Sequence, residues 1–374
     1  MSGIVPRAGA VPLPDLLLER VVKQFGPVTA VNGFSLAVEH GELVSLLGPS
    51  GCGKTTTLSL IAGFEPVSEG AISIHGARIE TLPPERRNTG MVFQNYALFP
   101  HMTAAENVAF GLRARRMGRA AITEKVARVL SLVRMDGMAE RRPSALSGGQ
   151  QQRIALARAL VIEPVVLLLD EAFGALDRQL REHMQIELRA LQRALGITTI
   201  FVTHDQEEAL SISDRVVVMS NGAIEQAAAP TELYERPATR FVAGFIGKSN
   251  LFAARVAACD DATLALDTGF GRISAARPRE RLLPGAEIEV MLRPEKLRLE
   301  LAPAEGAPTA RVVETAYLGA TAHIHLELFG GLRALASDSE ASVGGRLKFR
   351  PGETVGLQFD PRDLTLFVDG RRCN

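Results

Sequence analysis

The chain has 374 residues, enough for two or three domains with cores of their own. Lysine plus arginine and aspartate plus glutamate balance at 42 each, so no electrostatic footprint for nucleic acid is present. Cys52, Cys259 and Cys373 are scattered, odd in number and without metal spacing, which argues against a disulfide framework and fits a reducing compartment.

Residues 1–14 are rich in Pro, Gly and Ala and are expected to form a disordered tail. Arg7 is followed by no continuous apolar stretch of signal-peptide type. No apolar stretch along the chain reaches the ~20 residues of a membrane helix. Residues 16–22, 34–38 and 71–74 read as strands, with turns at Gly41-Glu42 and Glu69-Gly70. Phe25 stands in a turn with Gly26 before Val28.

The apolar run 43–47 (LVSLL) leads into Gly48-Pro49-Ser50-Gly51-Cys52-Gly53-Lys54-Thr55, then into a helix-like segment, 55–62, that includes Thr56. This matches G-x-x-x-x-G-K-S/T in the strand–loop–helix context that separates a phosphate-binding loop from a chance match. Glycines let phosphate oxygens approach the backbone, and exposed N–H groups with the positive helix end hold them. Lys54 is in reach of the β- and γ-phosphates, and Thr55 places a hydroxyl on Mg²⁺. Cys52 reads either as a tolerated small side chain or as a thiol whose alkylation would block the loop.

Residues 91–94 (MVFQ) read as a strand ending in a polar side chain, and 105–160 as helices. Tyr96, Leu98, Phe99 and Met102 suit either a protein interface or a helical core. Leu146-Ser147-Gly148-Gly149-Gln150 precedes a helical run in which Ser147 is a natural cap, with Gly148 and Gly149 leaving N–H groups open. Residues 165–169 (VVLLL) form a buried strand that delivers Asp170 and Glu171 to a sheet edge. Asp170 is a candidate Mg²⁺ ligand through water, and Glu171 the candidate general base that orients the attacking water. The run 197–203 is a further buried strand ending at His204, and 216–219 and 223–226 read as a hairpin across Asn221-Gly222.

Taken together, the phosphate loop, the Leu-Ser-Gly-Gly-Gln string and the Asp-Glu strand resemble the ATP-binding subunits of ABC transporters. The resemblance covers nearly the whole chain after residue 15. It implies an α/β P-loop NTPase core over residues 15–247, with a helical subdomain at about 95–160. It makes Phe25 the adenine-stacking residue, the alternative being a ring packed at the sheet edge. It makes Gln94 a contact to Mg²⁺ and the attacking water, and the start of a permease-touching segment, 95–110. It makes His204 the γ-phosphate contact that positions Glu171, and 174–177, ending at Asp177, the loop that communicates between two ATP sites. It also implies that Ser147–Gln150 of one subunit close over ATP held by another, in a head-to-tail homodimer. One departure is Ala172, where most members carry Pro after the catalytic Glu.

Residues 248–374 change texture to short alternating segments punctuated by Gly and Pro, the pattern of a small β-barrel. Residues 292–299 and 359–366 both carry Pro-x-x-Leu-x-Leu after a strand, either a weak repeat or a coincidence. The segment resembles the OB-like, TOBE-type regulatory barrel of sugar, polyamine, ferric-ion and aminophosphonate import ATPases. Residues 232–237 and 241–250 look most like the polyamine subgroup. The implied function is a Mg-ATP-hydrolysing motor at the cytoplasmic face of the inner membrane, bound to integral-membrane permease subunits and served by a secreted solute-binding protein. Ferric ion, 2-aminoethylphosphonate and sugars are alternative solutes. A soluble non-transport ATPase of the same family is the remote alternative, and it lacks support from any coiled-coil insertion or second motif set.

Overall fold

The computed structural model describes residues 13–174, 177–260, 262–278, 280–303, 307–339, 342–343 and 346–374. The expected tail, but for Leu13 and Pro14, lies outside them. The chain divides into two compact units, one ending at Pro230 and one beginning at Thr231, so residues 231–247 cluster with the second.

The first unit opens with β1 (Leu16–Phe25), β2 (Val28–Val38), β3 (Leu43–Leu47), α1 (Lys54–Ala62), β4 (Glu69–Ile74), β5 (Ala77–Arg78) and β6 (Thr89–Val92). Three helices follow: α2 (Ala104–Ala114), α3 (Arg119–Leu132) and α4 (Gly148–Leu160). The unit closes with β7 (Val166–Asp170), α5 (Arg178–Leu195), β8 (Thr198–Thr203), α6 (Gln206–Ile212), β9 (Arg215–Ser220) and β10 (Ala223–Ala228). Strands β2-β1-β4-β5 make an antiparallel sheet, and β10-β9-β3-β8-β7-β6 a second sheet that is parallel except for β10.

The two sheets differ as their sequences do. Every residue of β3 and β8 is buried, because parallel strands covered on both faces have no wet side. Strand β1 instead alternates between buried and exposed positions along much of its length. One core joins Leu16, Leu18 and Phe34 of the antiparallel sheet to Leu58 and Ile61 of α1 and to Val44, Leu46 and Leu168 of the parallel sheet. A second core packs α2, α3 and α4 against Val92, Leu167, Leu169 and Phe201. Helix α2 starts on a capping box in which Thr103 and Glu106 bond each other's backbone N–H. The hairpin across Asn221-Gly222 forms as expected, with φ of +48° and +79° at its two turn residues.

The described residues of the second unit are mostly β-strand, with a short helix, Pro230–Glu235, at the boundary between the units and another at Arg240–Phe245. Six- and five-stranded antiparallel sheets enclose one apolar core that includes Val290, Leu292, Leu299, Leu357 and Leu366. Buried Arg293 ties this unit's helices down by donating to the carbonyls of Ile246 (2.6 Å), Tyr234 (2.8 Å) and Lys248 (3.1 Å). The Pro-x-x-Leu-x-Leu likeness has a structural counterpart. Pro294–Lys296 and Pro361–Asp363 are each a single tight turn between two strands. Strand Glu287–Leu292, before the first turn, pairs with Thr365–Val368, after the second. Strand Arg298–Glu300, after the first turn, pairs with Thr354–Gln358, before the second. Each piece thus completes the other's pairing.

Candidate functional site

Strand register assembles the site. Val92 pairs with Leu169, Asp170 with Val202, and Leu47 with Thr203. The residues that follow these strands, namely Gly48, Gln94, Glu171 and His204, therefore emerge side by side at the carboxyl edge of the parallel sheet. Open α/β sheets bind ligands at this edge.

The phosphate loop runs from β3 to α1. Gly48, Cys52, Gly53 and Lys54 are buried, whereas Pro49, Ser50, Gly51 and Thr55 are exposed and Thr56 is half-buried. Two glycines are required by protein atoms as well as by any ligand. A Cβ at Gly48 would stand 2.4 Å from the Met219 carbonyl oxygen, and one at Gly53, where φ is +104°, 2.4 Å from that of Ala30. Gly53 is the N-cap of α1. It supplies no side-chain hydrogen bond, and the first turn holds no acid, so this helix start suits an anion. Lys54 Nζ donates to the carbonyls of Gly48 (2.7 Å) and Pro49 (3.0 Å). Cys52 is covered, with Sγ 3.8 Å from Lys54 Nζ. Its alkylation therefore requires the loop to open.

The two carboxylates at the end of β7 face different partners. Asp170 Oδ1 accepts from Thr55 Oγ1 at 3.3 Å. Burial pushes the Asp170 carboxyl above its ordinary range. The Thr55 hydrogen bond and Lys54 oppose this, and the charge of Glu171 adds to it. Glu171 has a left-handed backbone, with φ of +45°. A non-glycine residue there stores about 1–3 kcal/mol. Its own N–H donates to the Val202 carbonyl at 2.9 Å, so the sheet holds that conformation while the chain turns. The turn directs the carboxylate between two side chains. Gln94 Nε2 donates to Oε2 at 2.8 Å, and His204 Nδ1 lies 3.2 Å from Oε1. Ala172 is buried, and Phe173 packs edge-on against Phe201 at 5.5 Å.

Phe25 ends β1 with 46% of its surface exposed, and Lys23 Nζ sits 4.6 Å from its ring centroid. Nearly half of the ring thus faces solvent at the end of the strand. Ser147 and Gln150 bond each other in a capping box at the start of α4. Ser147 Oγ accepts from Gln150 N–H (3.3 Å), and Gln150 Oε1 accepts from Ser147 N–H (2.9 Å). Ser147 and Gly148 are exposed, and Gly149 is buried. Asp177 caps α5 by accepting from Leu180 N–H at 2.9 Å, while Ala175 and Leu176 lie outside the described residues.

Of the aromatic and apolar residues after Gln94, Tyr96 is a core residue rather than a surface one. Leu98 is half-buried against the same core, and the Phe99 ring packs tilted against that of Phe110, centroids 4.6 Å apart, with Phe110 itself 44% exposed. Sequence reasoning missed the support beneath His204. Thr203 Oγ1 donates to the buried Glu208 (2.6 Å) and accepts from Asp205 N–H (2.9 Å). Asp205 caps α6 and pairs with Arg181 at 3.3 Å. An Asp followed three residues later by Glu at a helix start was the available signal.

Comparison with known proteins adds the following. The family model described as ABC transporter matches residues 31–174, and that of the TOBE domain matches residues 290–367. The spermidine/putrescine import ATP-binding protein PotA of Rubrobacter xylanophilus is 48% identical over 360 residues, covering 95% of this chain and 94% of that protein. Its namesake from Nitratidesulfovibrio vulgaris is 47% identical over 346 residues, covering 91% and 94%. Among solved structures, a dimeric post-hydrolysis state of the ATP-binding cassette MJ0796 with ADP and Pi superposes with a TM-score of 0.52. It shares 31% identity and covers 57% of this chain and 98% of that one.

Proposed function

This chain belongs to the ATP-binding subunits of ABC transporters, and from that premise we propose that it is the ATP-hydrolysing motor of a polyamine importer. The observation that carries the reading is the convergence at one sheet edge of a phosphate loop, the Thr55–Asp170 pair and a Glu171 carboxylate held by Gln94 and His204. The polyamine assignment draws on relatives whose names state spermidine/putrescine import.

Phe25 stacks on adenine, and the N–H groups of residues 50–56 with Lys54 hold the phosphates. Thr55 and Asp170 meet at 3.3 Å, and burial disfavours the Asp170 charge. With the amide oxygen of Gln94 they would offer an all-oxygen donor set suited to a hard dication, Mg²⁺. When bound, Mg²⁺ neutralises phosphate charge in the transition state. Gln94 and His204 hold opposite oxygens of Glu171, which orients the attacking water and accepts its proton. His204 also contacts the γ-phosphate.

Ser147, Gly148, Gly149 and Gln150 of one copy close over the ATP of a second copy in a head-to-tail homodimer, and Asp177 lies at the link between the two sites. Closure drives residues 95–110 against integral-membrane permease subunits, to which a secreted binding protein delivers solute. Among the described residues no helix is long and apolar enough to cross a membrane. In this reading the motor works peripherally, at the cytoplasmic face, through those subunits. The all-β unit regulates it.

Tagging the chain, extracting native membranes gently and identifying what co-purifies tests the reading. Polytopic subunits are expected, with a binding protein that takes spermidine or putrescine in preference to ferric ion, 2-aminoethylphosphonate or sugars. Recovery of ribosomes or DNA-associated proteins alone would defeat it.

A further inference from the structure

The loop after Gln94 holds an unusual backbone. Tyr96 and Ala97 are consecutive non-glycine residues with φ of +60° and +45°. Two left-handed residues in a row persist only where their surroundings hold them. The holding group comes from helix α4. Arg158 donates from Nη2 to the Tyr96 carbonyl at 2.8 Å and from Nη1 to the Ala97 carbonyl at 2.7 Å. Its guanidinium also lies 5.7 Å from the Phe99 ring centroid. One planar side chain thus grips both strained carbonyls, a geometry that the point charge of lysine cannot reproduce.

We propose that Arg158 is a positioning residue for Gln94, and that through it helix α4 sets the hold of Gln94 on Glu171. Arg158 lies eleven residues beyond Ser147, about 16 Å along a helix at 1.5 Å per residue. A rigid helix that begins at Ser147 therefore carries displacement of its exposed start to the segment beginning at Gln94. Burial lowers the guanidinium's proton affinity without discharging it, so the grip persists across the working pH range. This inference rests on the proposed role of Gln94 and Glu171 in hydrolysis.

The test uses the full chain with Arg158→Ala, Arg158→Lys, Gln94→Ala, Glu171→Gln and the double variant Arg158→Ala/Gln94→Ala. The readouts are kcat and KM for Mg-ATP, nucleotide affinity and thermal midpoint. Arg158→Ala is expected to lower kcat about tenfold to a hundredfold, the scale of an ångström-level misplacement, with affinity nearly unchanged. Arg158→Lys, which folds with the charge kept, should recover only part of that loss. The double variant should be no slower than the worse single, because both changes act on one contact. Full kcat in Arg158→Ala or in Arg158→Lys, or multiplying losses in the double variant, would overturn the inference. Glu171→Gln separates the two failures. If it hydrolyses ATP like the unaltered chain, the reading of the site falls and this inference with it. If it is silent while the Arg158 variants keep full kcat, only the inference falls.

Discussion

Two glycine-bearing helix starts, at α1 and at α4, face the same problem of unpaired N–H groups and answer it in opposite ways. At α1 no side chain caps the helix, the loop floor is buried, and Gly48 and Gly53 are wedged against the Met219 and Ala30 carbonyls. That start is shaped in advance and left open to an anion. At α4 Ser147 and Gln150 satisfy each other, and Ser147 stands exposed. The contrast teaches that the start at α1 is left open by its own chain, whereas the start at α4 is satisfied by its own side chains.

The comparison is sharpened first at the chemistry between the two starts. Glu171→Gln keeps the size of the side chain and removes the base, so kcat should drop about 10²- to 10⁴-fold while ATP still binds, measured by phosphate release and nucleotide titration. Lys54→Ala strikes the start at α1. It should weaken ATP binding about tenfold to a hundredfold in dilute, monomeric protein, the range for hydrogen bonds to a charged group. Ser147→Ala strikes the start at α4. It should cost about 1 kcal/mol of stability through the lost cap and slow hydrolysis, yet leave ATP affinity at high dilution intact. Equal loss of dilute-solution affinity in Lys54→Ala and Ser147→Ala would break the comparison.

The smallest expected effect concerns Asp170. Its carboxyl holds a proton more tightly folded than unfolded, chiefly through burial. Stability is therefore lost as pH rises from the ordinary carboxylate value through the raised one, and the full penalty applies above the raised one. Asp170→Asn should raise the thermal midpoint of the nucleotide-free chain by ~1–2 °C at pH 7. The gain should vanish on acidification.

The parts of this molecule legible in the sequence were those written locally. The runs at 43–47 and 198–203 announced buried parallel strands because both faces are covered, and Asn221-Gly222 announced its hairpin. The phosphate loop, Asp170 and Glu171 were singled out because each follows such a run, whereas His204 was singled out only through the family resemblance. What escaped notice depends on distant partners. For Tyr96 the sequence left interface and core open, and nothing in Asp-Glu says that the Val202 carbonyl will hold Glu171 left-handed. The Ser147–Gln150 bonds were half legible. The cap was foreseen, but its reciprocal partner was not.

The crossed pairing in the second unit has a consequence for how the protein is made. Strand Glu287–Leu292 is complete only when Thr365–Val368 arrives, and Arg298–Glu300 only when Thr354–Gln358 does. On a ribosome, where folding proceeds from the N-terminus, the first unit has every strand it needs once Ala228 is out. The second unit waits for Thr365–Val368 with Met291 and its neighbours on an unpaired edge, the kind of edge that recruits other chains. A message truncated shortly before Thr365 should therefore yield an aggregating product rather than a smaller working motor.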